Sequence, residues 1–463
     1  MIRSQCEESR PRRDPPGKKP KGQIFKQTAM EPVIVIGAGL AGCEATWQIA
    51  KRGGKVILYE MKPCAYSPAH RSPLFAEIVC SNSFKSESLE NAPGVLKEEM
   101  ALLESLIVRT ARETRVPAGD TLAVDRVVFS EKITQTLGAM EAVEIVRREV
   151  TSLPRDTIIV VATGPLTSQA LGSEIQEITG NPLFFYDAIS PIVTRESINF
   201  EKVFWASRYG KGGEDYVNCP MEKEAYYRFV EALNEAERIS IRDFERKYLF
   251  EGCLPVEELA ERGKDTLAFG PMKPVGLIDP RTGKAPFAVV QLRREDRFGS
   301  LFNLVGFQTR LKQGDQRKVF RMIPGLENAE FVRWGSIHRN TFIDSPRVLT
   351  ESLQLKNHPE LFFAGQITGV EGYMESTAMG LFAGINAYRE GRGMSPVVPP
   401  STTAIGSLIH YITHSQTVPF QPMNVNFGLF PPLPGRGRKK RQALAMRALE
   451  QLRQWKETVI NDQ

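Results

Sequence analysis

The stretch from Pro32 to Glu60 constrains the fold of this chain more than any other, because strand, glycine and helix patterns follow one another in a fixed order. An apolar, β-branched run at Val33–Ile36 leads into three glycines spaced G-x-G-x-x-G, at Gly37, Gly39 and Gly42. A helical pattern and a second apolar run follow, and the stretch ends on an acidic residue. This order predicts a strand–turn–helix–strand unit that binds a dinucleotide.

Each part of this unit has a physical role. Gly37 permits the turn out of the strand, Gly39 lets a pyrophosphate approach the backbone, and Gly42 lets the helix pack closely on the strand. The helix N-terminus offers free N–H groups and a positive dipole end to the phosphates. The acidic residue can bind ribose hydroxyls. We therefore predict cofactor contacts at Gly37, Ala38, Gly39, Leu40, Ala41, Gly42 and Glu60.

Two later apolar runs read as buried parallel strands that end in glycine turns. One covers residues 158–161 and leads into Thr163 and Gly164; the other begins at Leu361 and leads into Gly365 and Gln366. Such turns suit a backbone that passes close to a cofactor. We expect both strands in the sheet of the first domain and add these four turn residues to the cofactor site.

The length of 463 residues predicts two or three domains. Composition changes between the two glycine turns, which indicates an insertion. The predicted fold class is α/β: a discontinuous Rossmann-like domain with an inserted α+β domain. Within the first part, residues 94–114 show helical spacing. The predicted segments are a disordered basic tail (1–30), the first domain (31–187), the insertion (188–330), the return segment (331–435) and a basic C-terminal helix (436–463).

The six cysteines show neither a disulfide framework nor metal-ligand spacing, so we expect a reducing, cytoplasmic setting. Cys80 is flanked by Ser81, Asn82 and Ser83, small polar groups able to hydrogen-bond a thiolate. Cys253 lies in a bend between a glycine and a proline. On residue chemistry alone, each of these thiols is either reactive or inert.

Neither His70 nor His338 suggests a metal centre. His70 and His338 have no second histidine or cysteine at ligand spacing, so the sequence predicts no metal site. For His338, a packing role and a cofactor contact both stay open.

Several blocks together resemble the folate-dependent, FAD-containing tRNA uracil-5-methyltransferases, relatives of the larger glucose-inhibited division A flavoproteins. The resemblance covers residues 31 to about 435. It rests on the glycine motif, on Cys80-Ser-Asn-Ser, and on the blocks 116–119, 122–126, 250–253, 269–276, 289–293, 303–309, 338–342, 363–372 and 421–428.

The resemblance implies FAD as cofactor, 5,10-methylenetetrahydrofolate as carbon donor and NAD(P)H as reductant. The implied product is 5-methyluridine at position 54 of the tRNA T-loop. The two cysteines that act together in that family correspond here to Cys80 and Cys253.

Uracil C5 is a weak nucleophile, which explains the need for a thiol. A thiolate that adds at C6 turns the ring into an enolate, whose C5 can attack an electrophilic methylene. A second group must then remove the C5 proton. We assign the first role to Cys253 and the second to Cys80, while the sequence leaves the two roles exchangeable.

A net charge of +6 is compatible with an RNA partner, and the target base must be turned out of its loop. Candidate phosphate contacts are Lys85 and the basic cluster of Arg436, Arg438, Lys439, Lys440 and Arg441, although a solvated charge also explains each of them. Two alternatives stay open: a division-protein-type flavoenzyme that modifies wobble uridine, and a non-catalytic FAD-containing tRNA-binding protein.

Overall fold

A computed structural model describes residues 30–210, 213–240 and 254–460. The tail predicted for residues 1–30 lies outside these ranges except for Met30, and so does Cys253.

The central sheet carries the predicted glycine motif. Its six strands have the order β16-β17-β7-β1-β2-β6, and all neighbours are parallel except the antiparallel pair β16 and β17. The strands are β1 (Val33–Ile36), β2 (Val56–Tyr59), β6 (Val143–Val146), β7 (Ile159–Val161), β16 (Gln354–Leu355) and β17 (His358–Phe363). Strands β7 and β17 pair directly, with Leu361 opposite Ile159. The α/β class and the sharing of one sheet by these two strands are therefore confirmed.

Two helices beside this sheet pack against each other at very close range. They are α1 (Leu40–Ala50) and α11 (Tyr373–Gly391). A Cβ on Gly380 would lie 2.1 Å from the Ala41 carbonyl oxygen, and one on Gly384 would lie 2.7 Å from the Ala45 carbonyl oxygen. Only glycine permits this backbone approach, so α11 presses the return segment onto the first βαβ unit.

The remaining helices of this part of the chain include several that pack on α1, α11 or each other. They are α2 (Ala92–Leu102), α3 (Leu106–Glu113), α4 (Arg126–Gly138), α5 (Gln169–Thr179), α10 (Ser345–Val348), α12 (Ala404–His414) and α13 (Gly437–Trp455). Among the described residues, no helix has the length and apolar character needed to cross a bilayer.

A second, antiparallel sheet is formed by the middle of the chain. Its order is β10-β11-β12-β13-β9-β14. The strands are β9 (Ile192–Thr194), β10 (Phe204–Trp205), β11 (Tyr216–Met221), β12 (Ala288–Arg294), β13 (Leu301–Leu304) and β14 (Phe331–Arg333), and the helices beside them are α6 (Lys223–Glu235), α7 (Val256–Glu261), α8 (Thr266–Phe269) and α9 (Gln313–Phe320). Because β14 pairs with β9, we propose that the insertion extends through Arg333 rather than ending at residue 330.

Two smaller sheets join these parts. A ribbon of β8 (Leu183–Ile189) and β15 (Ser336–Phe342) carries the chain between the large sheets in both directions. A three-stranded sheet, ordered β3-β5-β4, contains β3 (Ser83–Ser86), β4 (Arg115–Val116) and β5 (Thr121–Val124). The ribbon and the small sheet therefore bring both large sheets to one region.

The helical pattern at residues 94–114 forms two helices rather than one. Helix α2 ends before Glu104, whose φ of 59° breaks the helix, and Ser105 caps α3 by accepting a hydrogen bond from the Val108 N–H at 3.2 Å. The Glu104 carbonyl accepts a hydrogen bond from the indole of Trp47 at 2.9 Å. A contact with α1 thus accompanies a break that the periodicity does not reveal.

Candidate active site

A cavity of about 480 Å³ opens at the carboxyl ends of β1, β7 and β17. This is the edge of a parallel sheet at which ligands bind, and the volume is in the usual range for small-molecule sites. Most of the predicted cofactor residues line it: Gly37, Gly39, Leu40, Ala41, Glu60, Thr163, Gly164, Gly365 and Gln366.

The other two predicted residues, Ala38 and Gly42, lie behind the cavity wall. The Ala38 N–H donates a 3.0 Å hydrogen bond to the Glu60 carboxylate, whose second oxygen accepts one from the Lys62 N–H, also at 3.0 Å. A Cβ on Gly42 would lie 1.7 Å from the Gly37 carbonyl oxygen. These two residues therefore position the motif rather than lining the cavity.

The geometry of α1 fits a phosphate group. Gly39 is its N-cap residue, no side chain caps the helix, and the first turn carries no acidic residue. A Cβ on Gly39 would meet no protein atom within 4 Å, so that glycine leaves open space beside unsatisfied N–H groups. Glu375, which also lines the cavity, has a buried Oε2 with no hydrogen-bond partner among the described residues. The residues therefore fit a dinucleotide such as FAD.

The Cys80 loop forms one wall of this cavity, between β2 and β3. Cys80 is half-buried, and its N–H donates to the Tyr373 hydroxyl oxygen at 2.6 Å. The Arg126 guanidinium donates to the Ile78 carbonyl at 2.6 Å and to the Cys80 carbonyl at 3.1 Å, and it forms an ion pair with Glu295. Groups from α4, α11 and the second sheet thus fix the backbone beside this thiol.

The expected role of the neighbours of Cys80 is wrong for Asn82. This residue is fully buried, and its amide donates to the carbonyls of Val124 and Arg294, each at 2.9 Å. Its oxygen accepts a 2.8 Å hydrogen bond from Arg293. Asn82 therefore attaches the Cys80 loop to β12 of the second sheet, and its hydrogen-bonding groups are used there rather than on a thiolate.

The serines beside Cys80 support the turn in a similar way. The Ser81 hydroxyl accepts from the Ser83 N–H at 3.2 Å, and the Ser83 hydroxyl accepts from the Lys85 N–H at 3.1 Å. Lys85 itself lines the cavity and pairs with the buried Glu375 at 3.0 Å. This pairing favours a role for Lys85 inside the cavity over a contact with RNA phosphate.

A second acidic group, Glu371, lies at the wall formed by the start of α11. Burial, then the negative charge of Asp187, raises the pKa of Glu371 to about 8. Asn424 donates to the carboxylate of Glu371 at 2.8 Å and to its carbonyl at 2.7 Å. Near neutral pH this carboxyl group therefore retains a proton that it can donate or exchange.

His338 lines the cavity from β15, which agrees with the cofactor-contact alternative. Burial, followed by the positive charges of Arg333 and His70, lowers the pKa of His338. Its imidazole is thus neutral at neutral pH, and its Nε2 lies 3.1 Å from the Ser336 hydroxyl. His70 also lines the cavity, and its Nδ1 is 2.6 Å from the Ser67 hydroxyl.

The predicted nucleophile, Cys253, lies outside the described residues. Cys43 and Cys219 are fully buried, and burial raises the pKa of both thiols. Among the described cysteines, Cys80 is thus the one that lines the cavity.

Sequence reasoning missed the roles of Tyr373, Arg126 and Glu371. The first two hydrogen-bond the backbone of Cys80, and Glu371 lines the same cavity. Arg126 and Glu371 fall within blocks that carry the family resemblance, so the blocks contained a signal without an assigned role. The basic cluster lies at the start of α13, and there Arg438 pairs with Glu90 at 2.5 Å.

Comparisons with known proteins agree with this architecture. The family model described as glucose inhibited division protein A matches residues 32–395. The structure of Aquifex aeolicus GidA in its form II crystal is similar, with a TM-score of 0.68 at 17% identity over 91% of this chain and 73% of that one. At this identity, the likeness shows the fold alone.

Sequence relatives are much closer. The methylenetetrahydrofolate–tRNA-(uracil-5-)-methyltransferase TrmFO of Geobacter sulfurreducens is 59% identical over 430 residues, which are 92% of this chain and 99% of that protein. The protein of the same name from Pelotomaculum thermopropionicum is 58% identical over 92% of this chain and 99% of its own length. The chain therefore belongs to the family of methylenetetrahydrofolate–tRNA-(uracil-5-)-methyltransferases, within the wider group of glucose inhibited division protein A relatives.

Proposed function

We propose that this protein methylates C5 of uridine 54 in the tRNA T-loop, with 5,10-methylenetetrahydrofolate as carbon donor and NAD(P)H as reductant. The observation that carries the proposal is the position of Cys80 on the wall of a cavity formed by a dinucleotide-binding glycine motif. Relatives at 58–59% identity that carry this activity in their names support the substrate class. We place the reaction in the cytoplasm, where tRNA and reduced folates meet.

FAD is the proposed resident cofactor. The first turn of α1 binds its pyrophosphate, Glu60 binds a ribose, and the turns at Gly164 and Gly365 allow close approach of the backbone. When bound, FAD supplies the electrons that bring the transferred carbon to the methyl level. The open space at Gly39 and the unmet acceptor on Glu375 support this assignment.

The protein's own groups handle the uracil ring. In the proposal, the Cys253 thiolate adds to C6 and Cys80 removes the C5 proton once the new carbon bond has formed. The N–H of Cys80 is held by Tyr373 and its carbonyl by Arg126, so the loop is ordered before substrate arrives. Both thiols act on one base, which must leave the stacked T-loop to reach them.

The alternative closest in chemistry is modification of wobble uridine by a flavoenzyme of the division-protein type. The coverage of 99% of the TrmFO relatives, against 73% of the Aquifex protein, favours the T-loop activity. A non-catalytic flavoprotein would not need a half-buried thiol at the cavity wall.

Nucleoside analysis tests the proposal directly. Unmodified tRNA transcript, purified protein, methylenetetrahydrofolate and NADPH should give 5-methyluridine, with none formed when folate is omitted. A transcript with cytidine at position 54 is the matched control and should stay unmodified. Modification at the wobble position would support the first alternative, and tRNA binding without any modification would support the second.

A further inference from the structure

An exposed cluster of three side chains at the C-terminal end of α12 has the composition of a transition-metal site. His410 and His414 lie on the last turns of this helix, and Glu351 lies in the turn between α10 and β16. One ligand atom from each side chain lies within 4.8 Å of the others. Within the described part of the chain, no other three side chains of His, Cys, Asp or Glu bring their ligand atoms this close together.

The helix sets the separation of the two histidines. Residues four apart lie on one face, one turn above the other. Their rings are stacked, with centroids 4.6 Å apart and planes inclined by 19°. Both Nδ1 atoms are near the same Glu351 Oε1, at 4.0 Å for His410 and 3.6 Å for His414.

These distances are close to those of a filled site. With metal–ligand bonds of about 2.0–2.2 Å in a tetrahedron, neighbouring ligand atoms lie about 3.3–3.6 Å apart. The separation from Glu351 Oε1 to His414 Nδ1, 3.6 Å, lies at the upper end of this range, and that to His410 Nδ1, 4.0 Å, lies above it. We propose that His410, His414 and Glu351 form a surface site for a divalent transition metal of the zinc and nickel class, with water in the remaining positions.

The neighbouring groups are compatible with metal binding. The Thr413 hydroxyl donates to the Ile409 carbonyl at 2.7 Å and lies 3.0 Å from His414 Nδ1. It therefore accepts the Nδ1 proton, and the metal replaces this contact once the ring takes its other tautomer. Two imidazoles with one carboxylate suit zinc or nickel better than calcium or magnesium, which prefer oxygen ligands.

The turn that carries Glu351 is already ordered. The Thr350 and Ser352 hydroxyls lie 2.8 Å apart, and Ser352 donates to Gln354 at 2.6 Å. A metal ion would join this turn to α12. Helix α12 leads into the segment that carries Asn424, which donates a hydrogen bond to Glu371 in the cavity wall. A bound ion would therefore restrict the movement of the helix that precedes this segment.

Titration calorimetry of Zn²⁺ into the full-length, flavin-containing protein without a polyhistidine tag tests the site. We expect one ion per chain, and His410→Ala or His414→Ala should each weaken binding at least about tenfold. Glu351→Gln should weaken it less. His358→Ala is the matched control. His358 is also exposed and its Nδ1 lies 3.2 Å from a Glu360 oxygen, but it is not part of the three-residue cluster. This variant should bind Zn²⁺ with the affinity of the unchanged protein.

A second readout separates the site from general surface binding. Zn²⁺ should raise the thermal midpoint of the unchanged protein and of His358→Ala, and should not raise that of the His410→Ala/His414→Ala double variant. Flavin content and the midpoint without metal verify that each variant folds. Absence of stoichiometric binding, or binding that persists in the double variant, would overturn the proposal.

Discussion

The hydroxyl oxygen of Tyr373 lies 2.6 Å from the backbone nitrogen of Cys80, so the first residue of α11 holds the loop of the candidate thiol. Burial, then the charge of Cys80, raises the pKa of Tyr373 well above its usual value. The hydroxyl is therefore protonated at neutral pH, and it keeps a proton while it accepts from the Cys80 N–H. Sequence positions almost 300 apart meet in this contact.

Replacement of Tyr373 by Phe should lower the rate of methyl transfer about tenfold while flavin is retained. The change leaves a part-buried N–H without its acceptor, at a cost of about 1–3 kcal/mol, which loosens the Cys80 loop. Single-turnover kinetics measures the effect. Tyr411→Phe removes a hydroxyl that donates to the Gln421 carbonyl at 2.9 Å on the protein surface, and this control should keep its rate. An unchanged rate in Tyr373→Phe would show that the contact has no role in the reaction.

Gly39→Val should abolish flavin binding. At Gly39, φ is −74° and ψ is −170°, a conformation open to any residue, and a Cβ there meets no protein atom within 4 Å. The loss would therefore come from occupied ligand space rather than backbone strain. The absorbance of the bound flavin is the measurement. Gly172→Val, in α5, adds a side chain into similarly open space and should keep its flavin.

Glu371→Gln should flatten the pH dependence of stability in the flavin-depleted protein. With a folded pKa of about 8 and an ordinary value of 4.5, Glu371 retains a proton in the folded state that the unfolded chain releases. Its stabilising contribution is complete below about pH 4.5 and is lost as the pH rises to about 8. Between these two pH values, the free energy of unfolding of the unchanged protein should fall as the pH rises. In the variant this fall should be smaller, by up to about 1.4 kcal/mol per pH unit. The control Glu360→Gln, at a half-exposed position on β17, should keep the original slope.

Neutralising the basic cluster at the start of α13 should weaken tRNA binding and reduce its salt dependence. Cations at a helix N-terminus are electrostatically unfavourable, and no acidic residue offsets them in the first turn. Four changes to Gln at Arg436, Lys439, Lys440 and Arg441 should lower the slope of log affinity against log salt by about 3. The same substitution of the exposed Lys223 and Arg228 on α6 is the control. Equal slopes in both sets would exclude the cluster from the RNA interface.

The thiol roles can be separated with tRNA that carries 5-fluorouridine. Fluorine at C5 blocks proton removal and preserves the C6 adduct, so peptide mapping should find the base attached to Cys253. Cys80→Ala should still form this adduct, and Cys253→Ala should not. Attachment to Cys80 would reverse the assignment, and the absence of any adduct would contradict the thiol mechanism.

The local motif was the most predictable part of this molecule. The spacing of Gly37, Gly39 and Gly42 predicts the strand–turn–helix unit directly, because each glycine acts on residues that are close to it in the sequence. The pairing of β7 with β17 was also predictable, since both strands are apolar and end in glycine. Helix α1 begins at Leu40, directly after the second glycine of the motif, so the glycine turn itself supplies the N-cap residue of the helix.

The supports of the site were much less predictable. Asn82 has the chemistry to hydrogen-bond a thiolate, and only the approach of β12 shows that Arg293 and Arg294 use it instead. Glu371 has a raised pKa because it is buried near Asp187, a residue of β8 that lies far away in the sequence. Such properties arise from distant parts of the chain, and spacing along the sequence does not encode them locally.

The place of β17 between β7 and β16 has a consequence for synthesis on the ribosome. The edge of β7 has no partner until the whole second sheet has been translated, and α11 reaches its glycine contacts with α1 only later still. Until β17 and α11 have been translated, the first domain therefore has an open sheet edge and an incomplete cavity. Because residues at the start of α11 line the cavity, the complete binding site forms only after that helix has been translated.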